Sequence, residues 1–182
     1  MKVLAICGSP RKGNTEWMLR KLLEGLDSAE VDTELVLLRK LNIKGCDGCL
    51  ACEAGGENRE GICRIEDDMQ QLYAKLLDAD CMVFGTPAYF EMVSGQLKTF
   101  MDRTCPIWTK LSGKPIAGVA VAEGGIGQAI RNLRTYGKVC GMRWVGSVTA
   151  LAKTPKEASK NPRIERRLRI LAEKITGALK AS

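Results

Sequence analysis

The sequence predicts an α/β fold with a doubly wound, mostly parallel sheet. Two observations carry this reading: short apolar runs rich in Val, Ile and Leu and closed by Gly, Ser or Pro recur along the chain, and stretches with helical apolar spacing alternate with them. Lys2 to Cys7 is the first run, stopped by Gly8-Ser9-Pro10. From Thr15 onward Met18, Leu19, Leu22, Leu23 and Leu26 form a helical stripe, and Val31 to Leu38 returns to a strand. Asp67-Asp68-Met69 opens a helix to about Leu77, and Cys81 to Phe84 reads as a buried strand ended by Gly85-Thr86-Pro87. Ser94 is placed to cap a helix carrying Leu97, Phe100 and Met101. Ile116 to Ala122 is a fourth strand, Ile126 to about Val139 a helix, and Trp144 to Leu151 a fifth strand. After Pro162, the positions Ile164, Leu168, Leu171, Ile175 and Leu179 make one apolar stripe on a closing helix.

Such alternation implies right-handed crossovers and helices on both faces of the sheet. Five strands fit the flavodoxin-like order 2-1-3-4-5, in which ligands bind beyond the carboxyl ends of the strands near the switch point. The loops after strands one, three and four are therefore the places to look. With 182 residues the chain is expected to form one flavodoxin-like domain, residues 1–182, with a cysteine-rich insertion loop at about 44–65.

Composition narrows the chemistry. There is no histidine, which excludes histidine-based triads, zincin motifs and imidazole proton shuttles. The formal charge is +7, but residues 151–182 hold nine Lys/Arg against three Asp/Glu, a net +6, so nucleic-acid binding would have to rest on one segment. That segment also carries an apolar stripe, and its charges read more simply as a solvated helix face. No apolar run approaches the roughly 18 residues of a membrane span, and the first residues lack the pattern of a signal peptide. The expectation is a cytoplasmic protein without membrane or nucleic-acid partners.

Gly8-Ser9-Pro10-Arg11-Lys12-Gly13-Asn14-Thr15 joins the first strand to the first helix, where backbone N–H groups and the helix dipole favour an anion. Its glycines have Walker A spacing, yet Asn14-Thr15 stands where Lys-Ser/Thr would follow, so a P-loop nucleoside triphosphatase is not supported. A single terminal phosphate, such as that of flavin mononucleotide (FMN), needs only the nest, hydroxyls and Arg11. The plain alternative is a turn into a helix capped at Asn14 or Thr15.

Cys46-Asp47-Gly48-Cys49-Leu50-Ala51-Cys52 followed by Cys63 forms C-x2-C-x2-C-x10-C. Thiolates at these spacings suit an iron-sulfur cluster, with a four-cysteine zinc site as the alternative, although zinc prefers two separated pairs. Unligated redox-sensitive thiols are a third reading. Cys7, Cys81, Cys105 and Cys140 are scattered among strands and helix ends, where a thiol usually packs as a small apolar group.

The loop Gly8 to Thr15 resembles the FMN loop of the NADPH-dependent FMN reductase family. The segment Gly85-Thr86-Pro87-Ala88-Tyr89-Phe90, with Ser94 to Lys98 and Phe100 to Arg103 beyond it, is similar to a second signature of that family. The resemblance implies phosphate binding by Ser9, Arg11, Asn14 and Thr15 and a flavin ring flanked by Thr86, Pro87, Ala88, Tyr89 and Phe90. Glu123 and Gly124 are expected to form a third wall, and Asp102 with Arg103 a structural or subunit-interface ion pair. The cysteine segment resembles that of the iron-sulfur flavoprotein branch, which implies a 4Fe-4S cluster on Cys46, Cys49, Cys52 and Cys63; the last gap, ten residues, is longer than in that branch.

The implied function is electron transfer between FMN, a 4Fe-4S cluster and a carrier such as ferredoxin, by a homodimer or homotetramer and with no side-chain general base. Its rival is a cluster-free NAD(P)H-dependent FMN or quinone reductase. A zinc-stabilised module binding nucleic acid through the basic tail is the non-enzymatic reading.

Overall fold

Val3 to Cys7 are wholly buried, and alternate residues of this run enter two different cores. Val3, Ala5 and Cys7 face one side of a sheet, and Leu4 and Ile6 face the other. A strand covered on both faces needs a continuous apolar sequence rather than an alternating one, which is what this segment supplies.

In the computed structural model, which describes residues 1–27, 31–53 and 62–181, the strands are β1 (Lys2–Cys7), β2 (Asp32–Leu37), β3 (Cys81–Tyr89), β4 (Met92–Val93), β5 (Pro115–Ala122) and β6 (Arg143–Leu151). The helices are α1 (Asn14–Asp27), α2 (Met69–Asp78), α3 (Gly95–Asp102), α4 (Gly127–Val139) and α5 (Pro162–Lys180). The sheet runs β2-β1-β3-β5-β6, parallel throughout, with β4 paired antiparallel to the end of β3. Numbered without β4, the parallel path has the expected order; the difference is this sixth strand. One face packs on α1 and α5 through Met18, Leu22, Leu168 and Ile175, and the other on α2, α3 and α4 through Leu72, Phe100 and Leu133. Among the described residues no helix is long and apolar enough to cross a membrane.

Two departures from the sequence reading bear on function. First, Gly85-Thr86-Pro87 does not end β3, which continues to Tyr89 and pairs Thr86 with Ala120 and Pro87 with Val121. Beyond it Phe90 and Glu91 form a two-residue turn, both at positive φ (49° and 64°), so that Tyr89 pairs with Met92. Such hairpin turns normally carry Asn-Gly, so this pair sent no turn signal, and holding bulky residues there costs of order 1–3 kcal/mol each. The Phe90 side chain is 96% exposed.

Second, Asp102 and Arg103 do not pair with each other. Asp102 bonds Lys98 on the surface, at 2.6 Å, whereas Arg103 is 1% exposed and its Nη1 lies 2.6 Å from Asp67 Oδ2. The same guanidinium donates to the carbonyls of Lys44 (2.8 Å) and Ile65 (3.3 Å). Asp67 also accepts the N–H groups of Lys44 and Met69. Burial would raise the Asp67 pKa, but these donors, Arg103 foremost, hold it below the usual carboxylate range.

Breaking a buried ion pair on one side leaves an uncompensated charge. Asp67→Asn is therefore expected to lower the unfolding free energy by about 3 kcal/mol or more in denaturant titrations. Because the folded pKa of Asp67 is depressed, its contribution is complete above the unfolded value near ~4 and is lost as pH falls through the folded one. The variant should accordingly show a flatter loss of stability on the acid side than the wild type; an unchanged acid profile would contradict this.

Candidate functional site

The carboxyl ends of β1, β3, β5 and β6 surround a cleft of about 210 Å³. Ser9, Arg11, Gly13, Asn14 and Thr15 line it from the first loop, Pro87, Ala88 and Tyr89 from β3, Val121, Ala122 and Glu123 from β5, and Ala152 and Lys153 from beyond β6.

The first loop is tied down from behind. Gly8 N–H donates to Gly85 O at 2.8 Å, and Ser94 Oγ donates to Gly8 O at 2.6 Å. A side chain at Gly8 would meet Leu97 Cβ at 2.6 Å, so only glycine lets this loop sit against α3. The Ser9 hydroxyl donates to Arg11 O at 2.8 Å, closing the turn. Trp17 N–H bonds Gly13 O, which makes Gly13 rather than Asn14 or Thr15 the N-cap of α1. The N–H groups of the first helical turn have no intrahelical partner and carry the positive end of the helix dipole toward the cleft.

The structure gives several predicted residues other work. Asn14 lines the cleft, but its side chain bolts the loop after β6: Nδ2 donates to Thr154 O (2.9 Å) and Oδ1 accepts from Ala158 N–H (3.2 Å). Thr86 is fully buried, with its hydroxyl donating to Pro87 O and accepting from Ser94 N–H, so its side chain supports the wall rather than facing the cleft. Phe90 lines a separate cleft of about 610 Å³, with Met92, Met101, Tyr136 and Val139. Gly124 is absent from the first cleft's lining; its neighbour Gly125, at φ +61°, lies against the Glu91 side chain, which links this turn to the β3–β4 hairpin.

Sequence reasoning missed the β6 wall. Lys153 pairs with Glu123 across the mouth at 2.8 Å, and this partner raises the Lys153 pKa. Glu157 Oε2 accepts the N–H groups of Lys153 and Thr154 at 2.9 Å, which folds the segment back. The available signal was positional, since residues 152–154 follow a carboxyl strand end like the loops that were singled out.

The cysteine loop rises from the Arg103 clamp, and residues 54–61 of the expected 44–65 insertion lie outside the described ones. At its foot Asn42 N–H donates to Asp68 Oδ2, and Gln70 Nε2 donates to the carbonyls of Cys63 (3.0 Å) and Ile65 (2.8 Å). Asp47 accepts from Arg64 (2.9 Å) and Cys49 N–H (3.1 Å), and its pKa falls to about 2, chiefly through Arg64. Cys46 is exposed, while Cys49, Cys52 and Cys63 are half-buried. Among the described residues no three Cys, Asp or Glu side chains are gathered as a metal site. Cys7, Cys81 and Cys140 are buried as expected, but Cys105 is half-buried and its thiol neighbours that of Cys52. Burial first, and this contact second, push the Cys52 thiol up to about 12.

A family model described as NADPH-dependent FMN reductase matches residues 1–156. An iron-sulfur flavoprotein of Methanocaldococcus jannaschii is 38% identical over 125 residues, 68% of this chain and 62% of that protein, so the match spans less than two thirds of the relative's length. An iron-sulfur flavoprotein of Methanosarcina thermophila is 31% identical over 153 residues, covering 80% of this chain and 78% of that one. A solved structure of a flavodoxin from the domain Archaea superposes with a TM-score of 0.65 over 99% of both chains at 16% identity, which shows the flavodoxin-like fold.

Asn14→Ala would orphan Ala158 N–H and leave Thr154 O with only the Glu157 N–H, 3.3 Å away. We expect about 1–3 kcal/mol lower stability and faster hydrogen exchange at Ala158. Unchanged exchange there would show that Asn14 does not hold the β6 loop.

Proposed function

Because the chain belongs to the NADPH-dependent FMN reductase family, in its iron-sulfur flavoprotein branch, we propose that it is a flavin-dependent oxidoreductase that moves electrons between FMN, a 4Fe-4S cluster and a carrier such as ferredoxin or NAD(P)H. The proposal takes residues 1–182 as one flavodoxin-like domain. The single observation that carries it is the cleft at the α1 N-terminus, where donors and cations meet a wall of β3 peptides.

The donor set fits a flavin that ends in phosphate. Free N–H groups of the first turn of α1, with Arg11 and Thr15, would hold the phosphate; Ser9 shapes the turn, and the Asn14 side chain fixes the opposite wall. At about 210 Å³ the cleft is smaller than the usual ligand pocket of about 300–1,000 Å³. FMN would fill it with its phosphate end and lay its ring against Pro87, Ala88 and Tyr89, beside Glu123. Tyr89 is 46% exposed and offers both an aromatic edge and a hydroxyl.

The thiols of Cys46, Cys49, Cys52 and Cys63 fit soft-metal chemistry, and Arg103 anchors both ends of their loop to α3. When bound, FMN exchanges one or two electrons and the cluster one at a time. This chain's residues bind and orient the two groups, and no side chain is required to move a proton. A cluster-free FMN or quinone reductase uses the same cleft, and zinc is the alternative metal.

A homodimer or homotetramer is part of the proposal, supported by the Phe90 hairpin beside the apolar 610 Å³ cleft. Phe90→Asp is expected to lower the assembly state measured by analytical ultracentrifugation, and an unchanged mass would remove the hairpin from the interface.

Protein purified without oxygen is expected to carry FMN, iron and acid-labile sulfide; flavin without iron or sulfide would leave the cluster-free reductase. Arg11→Glu should weaken FMN at least about tenfold while leaving riboflavin, which lacks the phosphate, nearly unaffected in equilibrium titrations. Equal losses for both ligands would refute the phosphate assignment.

A further inference from the structure

The first turn of α1 carries a charge that works against an anion. With Gly13 as its N-cap the helix begins Asn14-Thr15-Glu16, so Glu16 is the third helical residue, next to the cleft-lining Thr15. A glutamate at this position normally turns its carboxylate back onto the N–H at the cap and satisfies a free donor of the first turn. Those same donors would hold the FMN phosphate, so such a carboxylate would compete with the ligand from within the chain.

Glu16 points elsewhere. It is buried and absent from the cleft's lining, and arginines hold both of its oxygens. Oε1 accepts from Arg20 Nε (3.1 Å) and Nη2 (2.9 Å), one turn further along α1, and Oε2 lies 2.8 Å from Arg39 Nη2. Arg39 stands in the 3-10 turn Leu38–Lys40 that leaves β2. Burial would raise the Glu16 carboxyl, but the two guanidinium groups hold it below the usual carboxylate range, so it stays an anion at neutral pH. The two arginines are not equivalent. The Arg20 side chain is 55% exposed and screened by water, whereas that of Arg39 is 17% exposed. Arg39 Nη1 is buried without a hydrogen-bond partner among the described residues, so the Glu16 carboxylate is the charge that compensates its burial.

We propose that Arg39 is a positioning residue for FMN: it holds the Glu16 carboxylate at the exit of β2 and so keeps the N–H groups of the first turn of α1 open to the phosphate. This rests on the flavin reading above. Without Arg39, the solvent-screened Arg20 alone does not restrain the carboxylate, which turns back to the cap and must be displaced before a phosphate can bind. The effect is confined to ligands that carry the phosphate, because the flavin ring would lie against Pro87, Ala88 and Tyr89, away from the first turn.

The test is equilibrium titration of the full chain, stripped of bound flavin, with FMN and with riboflavin in mildly alkaline buffer, where a carboxylate stays ionised. Wild type is compared with Arg39→Met, which keeps the bulk and removes the charge and donors, with Glu16→Ala, and with the double variant, which removes both partners of the buried pair. Riboflavin affinity is the check of folding, and if Arg39→Met fails it, Arg39→Gln takes its place. We expect Arg39→Met to lose about fivefold or more in FMN affinity, the size of one helix cap, with riboflavin nearly unchanged. The double variant should bind FMN as tightly as Glu16→Ala. An Arg39→Met chain that keeps its FMN affinity, or loses FMN and riboflavin equally, would overturn the proposal. So would the same FMN loss in the Glu16→Ala background, since Arg39 would then act on the phosphate directly. Each of these leaves the phosphate reading intact as long as wild type prefers FMN; wild type that binds riboflavin as tightly as FMN removes both.

Discussion

Burial of the sheet on both faces is the constraint from which the rest of the molecule follows. With Val3 to Cys7 and the whole of β5 enclosed, no polar chemistry has room along the strands. It is displaced to the carboxyl edge, where backbone donors are free and chains leave the sheet. The first-loop cleft and the β3–β4 hairpin both lie on that edge. Even the hydroxyls there divide their work, with Ser94 and Thr86 holding β1, β3 and α3 together so that neighbouring peptides stay accessible.

Arg103 extends this order to the cysteine loop. A fully buried guanidinium is tolerated because Asp67 neutralises it and the Lys44 and Ile65 carbonyls satisfy further donors. Its Nε has no partner among the described residues, so the site is held by geometry that is complete on one edge of the fork and not on the other. A loop rich in glycine and cysteine has little apolar surface of its own, and a charged clamp at its stem replaces the packing it lacks. The clamp sits on α3, whose N-cap Ser94 also bonds Gly8. One short helix thus connects the foot of the cysteine loop to the loop that starts the cleft.

Much of this was legible in residue order. The apolar runs and helical stripes located every parallel strand and every α-helix, because burial on two faces leaves a strong signature. Ser9, Arg11, Thr15, Pro87, Ala88, Tyr89 and Glu123, named through the family resemblance, line one cleft at the strand ends. What escaped were features without local signatures. Phe90-Glu91 resembles no hairpin turn, and the Asn14 amide, which looked like a phosphate donor, meets Thr154 and Ala158 about 140 positions away.

The sequence by itself determined the fold class, the glycine-bearing loop between β1 and α1 and the presence of a thiol-rich segment, since each depends on residue types close together in the chain. Tertiary structure alone decided who meets whom. It separated Asp102 from Arg103, gave Arg103 to Asp67 and turned Asn14 toward the β6 loop. Those pairings are settled by the competition of buried polar groups for partners, and partners distant in sequence become available only once the sheet and its two helical layers have closed.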